Sequence, residues 1–102
     1  MYIEVDGRVM IMDLATGMSN TICSMHWDDM DASVVCRDLG ISSSGRATYL
    51  PRNPNYSRGV FGTYCNGSES YLSDCSMDTH DSSYGMCSNM FDAGVECHTG
   101  KY

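Results

Sequence analysis

Trp27-Asp28-Asp29-Met30-Asp31-Ala32-Ser33-Val34-Val35-Cys36-Arg37-Asp38-Leu39-Gly40 is the stretch of this chain that reads as a regular element with both ends marked. Ala32, Val35, Cys36 and Leu39 recur at the i, i+3, i+4, i+7 spacing that lines one face of an α-helix, and that face must be buried. Asp28 is placed to cap the amide donors of the first turn, and Asp29 and Asp31 sit where the helix dipole favours negative charge. Gly40 supplies a left-handed residue to end the helix, and Trp27 can fold back on Ala32 as a hydrophobic staple. With Cys36 on the buried face, whatever it bonds to is pinned against this helix.

Outward from the helix, the 102 residues make one domain with a modest interior, short of isoleucine, leucine, valine and phenylalanine. Nine methionines are expected to carry part of the apolar load. Six cysteines supply further stability, because each disulfide restricts the unfolded chain and contributes roughly 2–4 kcal/mol. The intervals between successive cysteines are 12, 28, 9, 11 and 9 residues, without the close C-x-x-C pairs of zinc ribbons or thioredoxin-like sites. Disulfides, and with them an extracellular or secretory compartment, are therefore expected.

No apolar run approaches the ~20 residues that cross a bilayer, so no membrane insertion by this segment is expected. The start, Met1-Tyr2-Ile3-Glu4-Val5-Asp6, carries two acids where a secretory signal needs a basic start and an apolar stretch. Either a signal has been removed or Met1 opens an excised domain. The formal net charge of −7 argues against a general nucleic-acid binder. Its distribution is uneven: from Leu39 to Ser68 there is no acid, while Arg46, Arg52 and Arg58 fall inside, leaving the remainder near −10.

Short strands are expected at Gly7–Met12, Thr21–Cys23, Ala47–Leu50, Gly59–Cys65 and Ala93–Cys97, from their β-branched and aromatic content between turn residues. Asp13–Asn20 reads as a turn, Pro51–Arg58 as an exposed irregular loop, Ser68–Leu72 as a helical turn, and Ser76–Gly85 as loop. Several short strands with one helix and long loops make an α+β domain.

The order Thr21-Ile22-Cys23, Trp27-Asp28, Asp31-Ala32, Val34-Val35-Cys36-Arg37, Leu39-Gly40, then Cys65, Gly67, Glu69, Leu72, Cys75, and Asp92-Ala93-Gly94-Val95-Glu96-Cys97 resembles the scavenger receptor cysteine-rich (SRCR) domain. Gly7-Arg8-Val9 resembles that family's opening strand, so the likeness spans nearly the whole chain, with a core of about residues 7–97. Six cysteines, with Ile41 where eight-cysteine members carry another, place it nearest the six-cysteine group A. The resemblance implies a curved, mostly antiparallel sheet cradling the helix from Asp28 to Leu39. It also implies three pairs, Cys23–Cys87, Cys36–Cys97 and Cys65–Cys75, out of the fifteen that six cysteines allow. The two long loops would each gain roughly 4 kcal/mol in a chain-entropy estimate.

The departures also carry information. Many SRCR domains place an Asp-Asp pair after the first of these cysteines and a Glu before Asp-Ala-Gly-Val, making a calcium site of hard oxygen ligands. Here Ser24, Met25 and Phe91 stand there, so the site is expected to be lost and no cofactor is implied. Ser19-Asn20 replaces the usual Trp-Gly, Phe61 and Gly62 stand where an Asp is usual, and the Cys75 to Cys87 loop is about two residues longer than typical. Some group A members carry Arg-Gly-Arg where this chain has Ser44-Gly45-Arg46, so only Arg46 matches.

By resemblance the domain is non-catalytic and extracellular. It is expected to bind protein or polyanionic ligands, such as pathogen surface molecules, through the loops between Ser42 and Arg58 and between Ser76 and Met86. Arg46, Arg52 and Arg58 are the expected contacts, because arginine forks match sulfate, phosphate and carboxylate, with Tyr49 and Tyr56 as aromatic anchors. An alternative is an accessory module of a larger secreted or membrane protein, such as a protease or an oxidase. Asp28, Asp29 and Asp31 could chelate a cation with Asp92, although helix capping explains them more simply. His26, His80 and His98 have no ligand-like spacing, and Met10 with Met12, or Met86 with Met90, reads as core filling rather than a copper site. Asn55 and Asn66 head glycosylation sequons.

Overall fold

A computed structural model of the chain describes residues 1–79, 87 and 90–98. His80, Met86 and most of the Ser76–Met86 loop lie outside them. The first four strands to pair form one sheet in the order β1-β2-β3-β5: β1 (Tyr2–Ile3), β2 (Val9–Met12), β3 (Ser19–Ile22) and β5 (Ser57–Val60). A second sheet pairs β4 (Gly45–Leu50) with β8 (Asp92–Cys97), and a third pairs β6 (Gly62–Tyr64) with β7 (Ser76–Asp78). All pairings are antiparallel except β3 with β5, which run parallel because helix α1 (Asp29–Asp38) and β4 intervene as the crossover.

The helix forms as its ends dictate. The Asp28 carboxylate accepts from the Met30 and Asp31 amides, and the Asp31 carboxylate accepts in return from the Asp28 amide, closing a capping box. Gly40 adopts a positive φ of 70° just past the end. The buried face includes Ala32, Val34, Val35 and Cys36, and it packs on β4 and β8. Leu39 is the C-cap and only partly buried. Trp27 lies in the same core cluster as Ala32, with its indole N–H donating to the Gly94 carbonyl at 2.9 Å.

Strand β8 is the centre of this core: Asp92 through Val95 are all buried, between the helix on one side and the opening turn on the other. Close backbone approach explains its glycine, since a Cβ on Gly94 would collide with Thr48 Oγ1 and come within 3.1 Å of Gly7 O. The Val95 amide donates to Gly7 O, so the opening turn is stitched to this strand. The disulfides join Cys23 to Cys87, Cys36 to Cys97 and Cys65 to Cys75, the pairs the resemblance implies. Cys36–Cys97 ties the helix face to the end of β8.

Several expectations are corrected. β1 and β7 were not expected, and both are short strands completed by pairing rather than by composition. The run Gly59–Cys65 is not one strand. At Phe61 the chain leaves β5 and enters β6 in another sheet, with the Phe61 amide donating to Asp78 O. The irregular loop ends at Tyr56, because Ser57 and Arg58 belong to β5, and the helical turn is a 3₁₀ turn at Leu72–Asp74. Methionine carries less of the core than composition implied. Met10 is fully buried, but Met12, Met18 and Met30 are exposed.

Candidate binding surface

The loop between β4 and β5 stands on a buried ionic cluster. Asp92, 0% exposed, receives the Arg8 guanidinium on Oδ2 and Arg58 on Oδ1, from Nε at 3.1 Å and Nη2 at 3.0 Å. The Asn53 amide also donates to Asp92 Oδ2, at 3.2 Å, and Arg8 donates to Pro51 O at 3.1 Å. Above that base the loop braces itself: Asn53 Oδ1 accepts from the Asn55 amide, and the Tyr56 amide donates to Asn53 O. The Tyr56 hydroxyl donates to Glu4, whose charge raises the phenol pKa. Glu4, Val5, Asp6, Arg8, Asn53 and Tyr56 line an open recess of about 330 Å³ beside the loop.

The three arginines expected to form one basic patch are dispersed. Arg58 is a correction: its side chain is 3% exposed, its Nε and Nη2 donate to Asp92 and to the carbonyls of Met90 and Phe91, and its Nη1 is buried without a hydrogen-bond partner among the described residues, so it faces no external ligand. β5 pairs parallel to β3 and turns that side chain inward, which no local pattern signals. Arg46 is exposed but sits opposite Glu96 across β4 and β8, bonded to it at 2.7 Å. That bond raises the Arg46 pKa. Arg52 is exposed and has no partner among the described residues. Tyr49 is exposed at its ring while its hydroxyl donates to Trp27 O. Asn55 and Asn66 are both exposed.

The acidic chelate with Asp92 does not assemble. Asp28 caps the helix, Asp29 accepts from the Ala47 amide, Asp31 accepts from the Cys65 and Asp28 amides, and Asp92 holds the two arginines. Ser24 and Phe91, two of the three residues at the family's calcium position, do meet, with the Ser24 amide donating to Phe91 O at 3.0 Å. That position offers a hydroxyl, a thioether and a phenyl ring, with the Arg58 guanidinium already on the Phe91 carbonyl. Such a donor set does not suit a hard dication. Elsewhere among the described residues, Cys65, Glu69 and Cys75 cluster with metal-like spacing, but the two sulfurs are bonded to each other. Glu69 instead gathers the Asn66 and Gly67 amides, which lower its pKa.

The family model of the scavenger receptor cysteine-rich domain matches residues 3–98. The chain belongs to the SRCR family. The dimeric form of the SRCR domain of mouse MARCO superposes with a TM-score of 0.71 at 34% identity, over 90% of this chain and 85% of that one. The third SRCR domain of murine neurotrypsin gives 0.68 at 31%, over 89% and 83%. In sequence, lysyl oxidase homolog 2 of Pongo abelii is 34% identical over 92% of this chain, and lysyl oxidase homolog 2B of Danio rerio 36% over 91%. The SRCR chain spans only 12% of the length of either relative. The matched region is the family's non-catalytic module, and no helix among the described residues is long and apolar enough to cross a membrane.

Sequence reasoning missed two features of this SRCR domain. The pairing of Arg8 and Arg58 with Asp92 had no signal beyond the family likeness of Gly7-Arg8-Val9 and of Asp92-Ala93-Gly94. The second is a recess at the start of α1, where Asp31, read as a cap, is also a buried acid 1% exposed.

Proposed function

We propose that this SRCR domain is an extracellular recognition module that grips a protein partner through the loop of residues 51–56, with Arg52 and Tyr56 at the centre and Arg46 and Tyr49 beside them. The observation that carries this reading is the anchoring of an exposed loop on the buried Asp92 cluster, through the Asn53 amide and the Pro51 carbonyl. A loop held in one shape binds without the entropy cost of ordering it. A free polyanion is the weaker ligand, because Arg58 is internal, Arg46 is paired with Glu96, and the chain as a whole carries −7. The same surface serves equally in an accessory module of a larger extracellular protein, a reading favoured by the 12% share of the lysyl oxidase homologs that the domain spans.

The test is a photo-crosslinking residue at Asn55, used to identify the partner from secreted protein, followed by surface plasmon resonance. Arg52→Glu and Tyr56→Ala are expected to weaken that complex by about tenfold or more each, the scale of a hot-spot contact. Unchanged affinity in both, with folding intact, refutes the assignment. Retention on heparin at physiological salt that is lost on Arg52→Ala would instead restore the polyanion reading.

A further inference from the structure

A second recess, of about 370 Å³, lies at the start of α1 and shares no lining residue with the 51–56 loop. Its walls are aromatic: His26, held at a φ of +60°, lies against Tyr64 with ring centroids 5.1 Å apart, and Trp27 closes one side. Asp28 and Asp31 contribute its acids. Thr63, 0% exposed, also borders it, and its hydroxyl is buried without a hydrogen-bond partner. An orphan buried hydroxyl is costly unless something supplies the missing bond.

The chemistry selects the occupant. An anion is refused by two carboxyl groups. A hard dication needs six or more oxygens, and here both Asp31 oxygens already accept backbone amides, from Cys65 and from Asp28 at 2.9 Å each. A primary ammonium needs few acceptors, takes carboxylate and hydroxyl oxygens alike, and is attracted by aromatic faces. An unbranched aliphatic stem behind it would pack along the rings.

We infer that this recess takes the ammonium group of a lysine side chain from a partner protein, with Asp28 and Asp31 as its counter-charges and the His26–Tyr64 pair as its wall. This inference is independent of the 51–56 loop and survives if that reading fails. Burial raises the Asp31 carboxyl to about 7, with the neighbouring Asp28 adding to the rise and the two backbone bonds opposing it. A bound cation favours the ionised form and expels the proton, so affinity rises with pH through that range. The other titratable groups facing the recess are His26, Asp28 and Tyr64. Tyr64 is held as the phenol by its bond to Asp78, which raises its pKa.

Trp27 is the sole tryptophan, so its fluorescence reports on the recess directly. Titration with Nα-acetyl-lysine amide is expected to give a saturable change, with none from Nα-acetyl-norleucine amide, which keeps an unbranched stem and lacks the ammonium. Binding is expected to be about fivefold or more weaker at pH 6 than at pH 8, and His26→Gln keeps most of that dependence. Asp28→Asn, which preserves the helix cap, weakens binding about fivefold or more at pH 8. An equal response to Nα-acetyl-norleucine amide, unchanged binding in Asp28→Asn with an intact helix by circular dichroism, or a pH dependence abolished by His26→Gln would each overturn the assignment. A response to cadaverine with none to the lysine amide would overturn the protein origin of the ligand.

Discussion

Replacing Asp92 by alanine isolates what the buried ionic cluster contributes. The carboxylate is fully buried, and four donors converge on it: the Arg8 guanidinium, Nε and Nη2 of Arg58, and the Asn53 amide. Its removal leaves two guanidiniums in the interior with side chains 8% and 3% exposed. Among the described residues, the acid still paired with either of them is Asp6, half-exposed and 3.4 Å from Arg8. Breaking a buried pair from one side costs about 3–5 kcal/mol, because the surviving charge is uncompensated. For a domain of this size each kcal/mol moves the melting temperature by about 4–8 °C, so a fall of at least 12 °C or so is expected by calorimetry with the disulfides intact. Hydrogen exchange at Asn53 and Tyr56 should accelerate as well, since the loop loses its base. Arg58→Ala should destabilise in the same direction while leaving any heparin retention of the folded protein unchanged. A loss below about 1 kcal/mol in Asp92→Ala, the worth of an exposed pair, would refute the buried-cluster account.

Asp31 gives a pH dependence of known sign. Its folded pKa is raised from 3.8 to about 7, so the folded state holds a proton that the unfolded chain releases, and stability from this group falls as pH rises across that window. Urea denaturation of wild type against Asp31→Asn checks it: the difference between the two profiles should slope across the window and flatten above it, and parallel profiles would remove the claim. Gly94→Ala places a methyl against Thr48 Oγ1 and Gly7 O, and overpacking of this kind should lower stability by about 1–3 kcal/mol in chemical denaturation. Calcium should give no saturable heat in calorimetry and no rise in melting temperature, because Ser24, Met25 and Phe91 offer no carboxylate; a micromolar isotherm would show that other acids have taken over the role.

Helix α1 was legible residue by residue, since the cap at Asp28, the acids of its first turn and the left-handed Gly40 all act within a few positions of chain. The likeness to the family extended that reading to the cysteine pairs and to the sheet around the helix. Strand β7 and the break at Phe61 were not legible, because a three-residue strand is defined by its partner. Arg58 shows the same limit in the binding surface. In sequence it is the third arginine of an acid-free segment, indistinguishable from Arg46 and Arg52.

From its residues alone this chain determined a capped helix with one buried face, a disulfide-stapled class and an acidic body with a basic segment. Those depend on local geometry and on composition. Tertiary structure decided which charges are available to a partner. Arg58 and Asp92 stand 34 positions apart and Arg8 and Asp92 stand 84 apart, yet they share one buried cluster. The recess at α1 likewise needs Cys65 brought to Asp31 across 34 positions. Whether a charge is spent internally or offered outward depends on which strands become neighbours and on how far burial strengthens the pairing, and both arise only when the chain closes on itself.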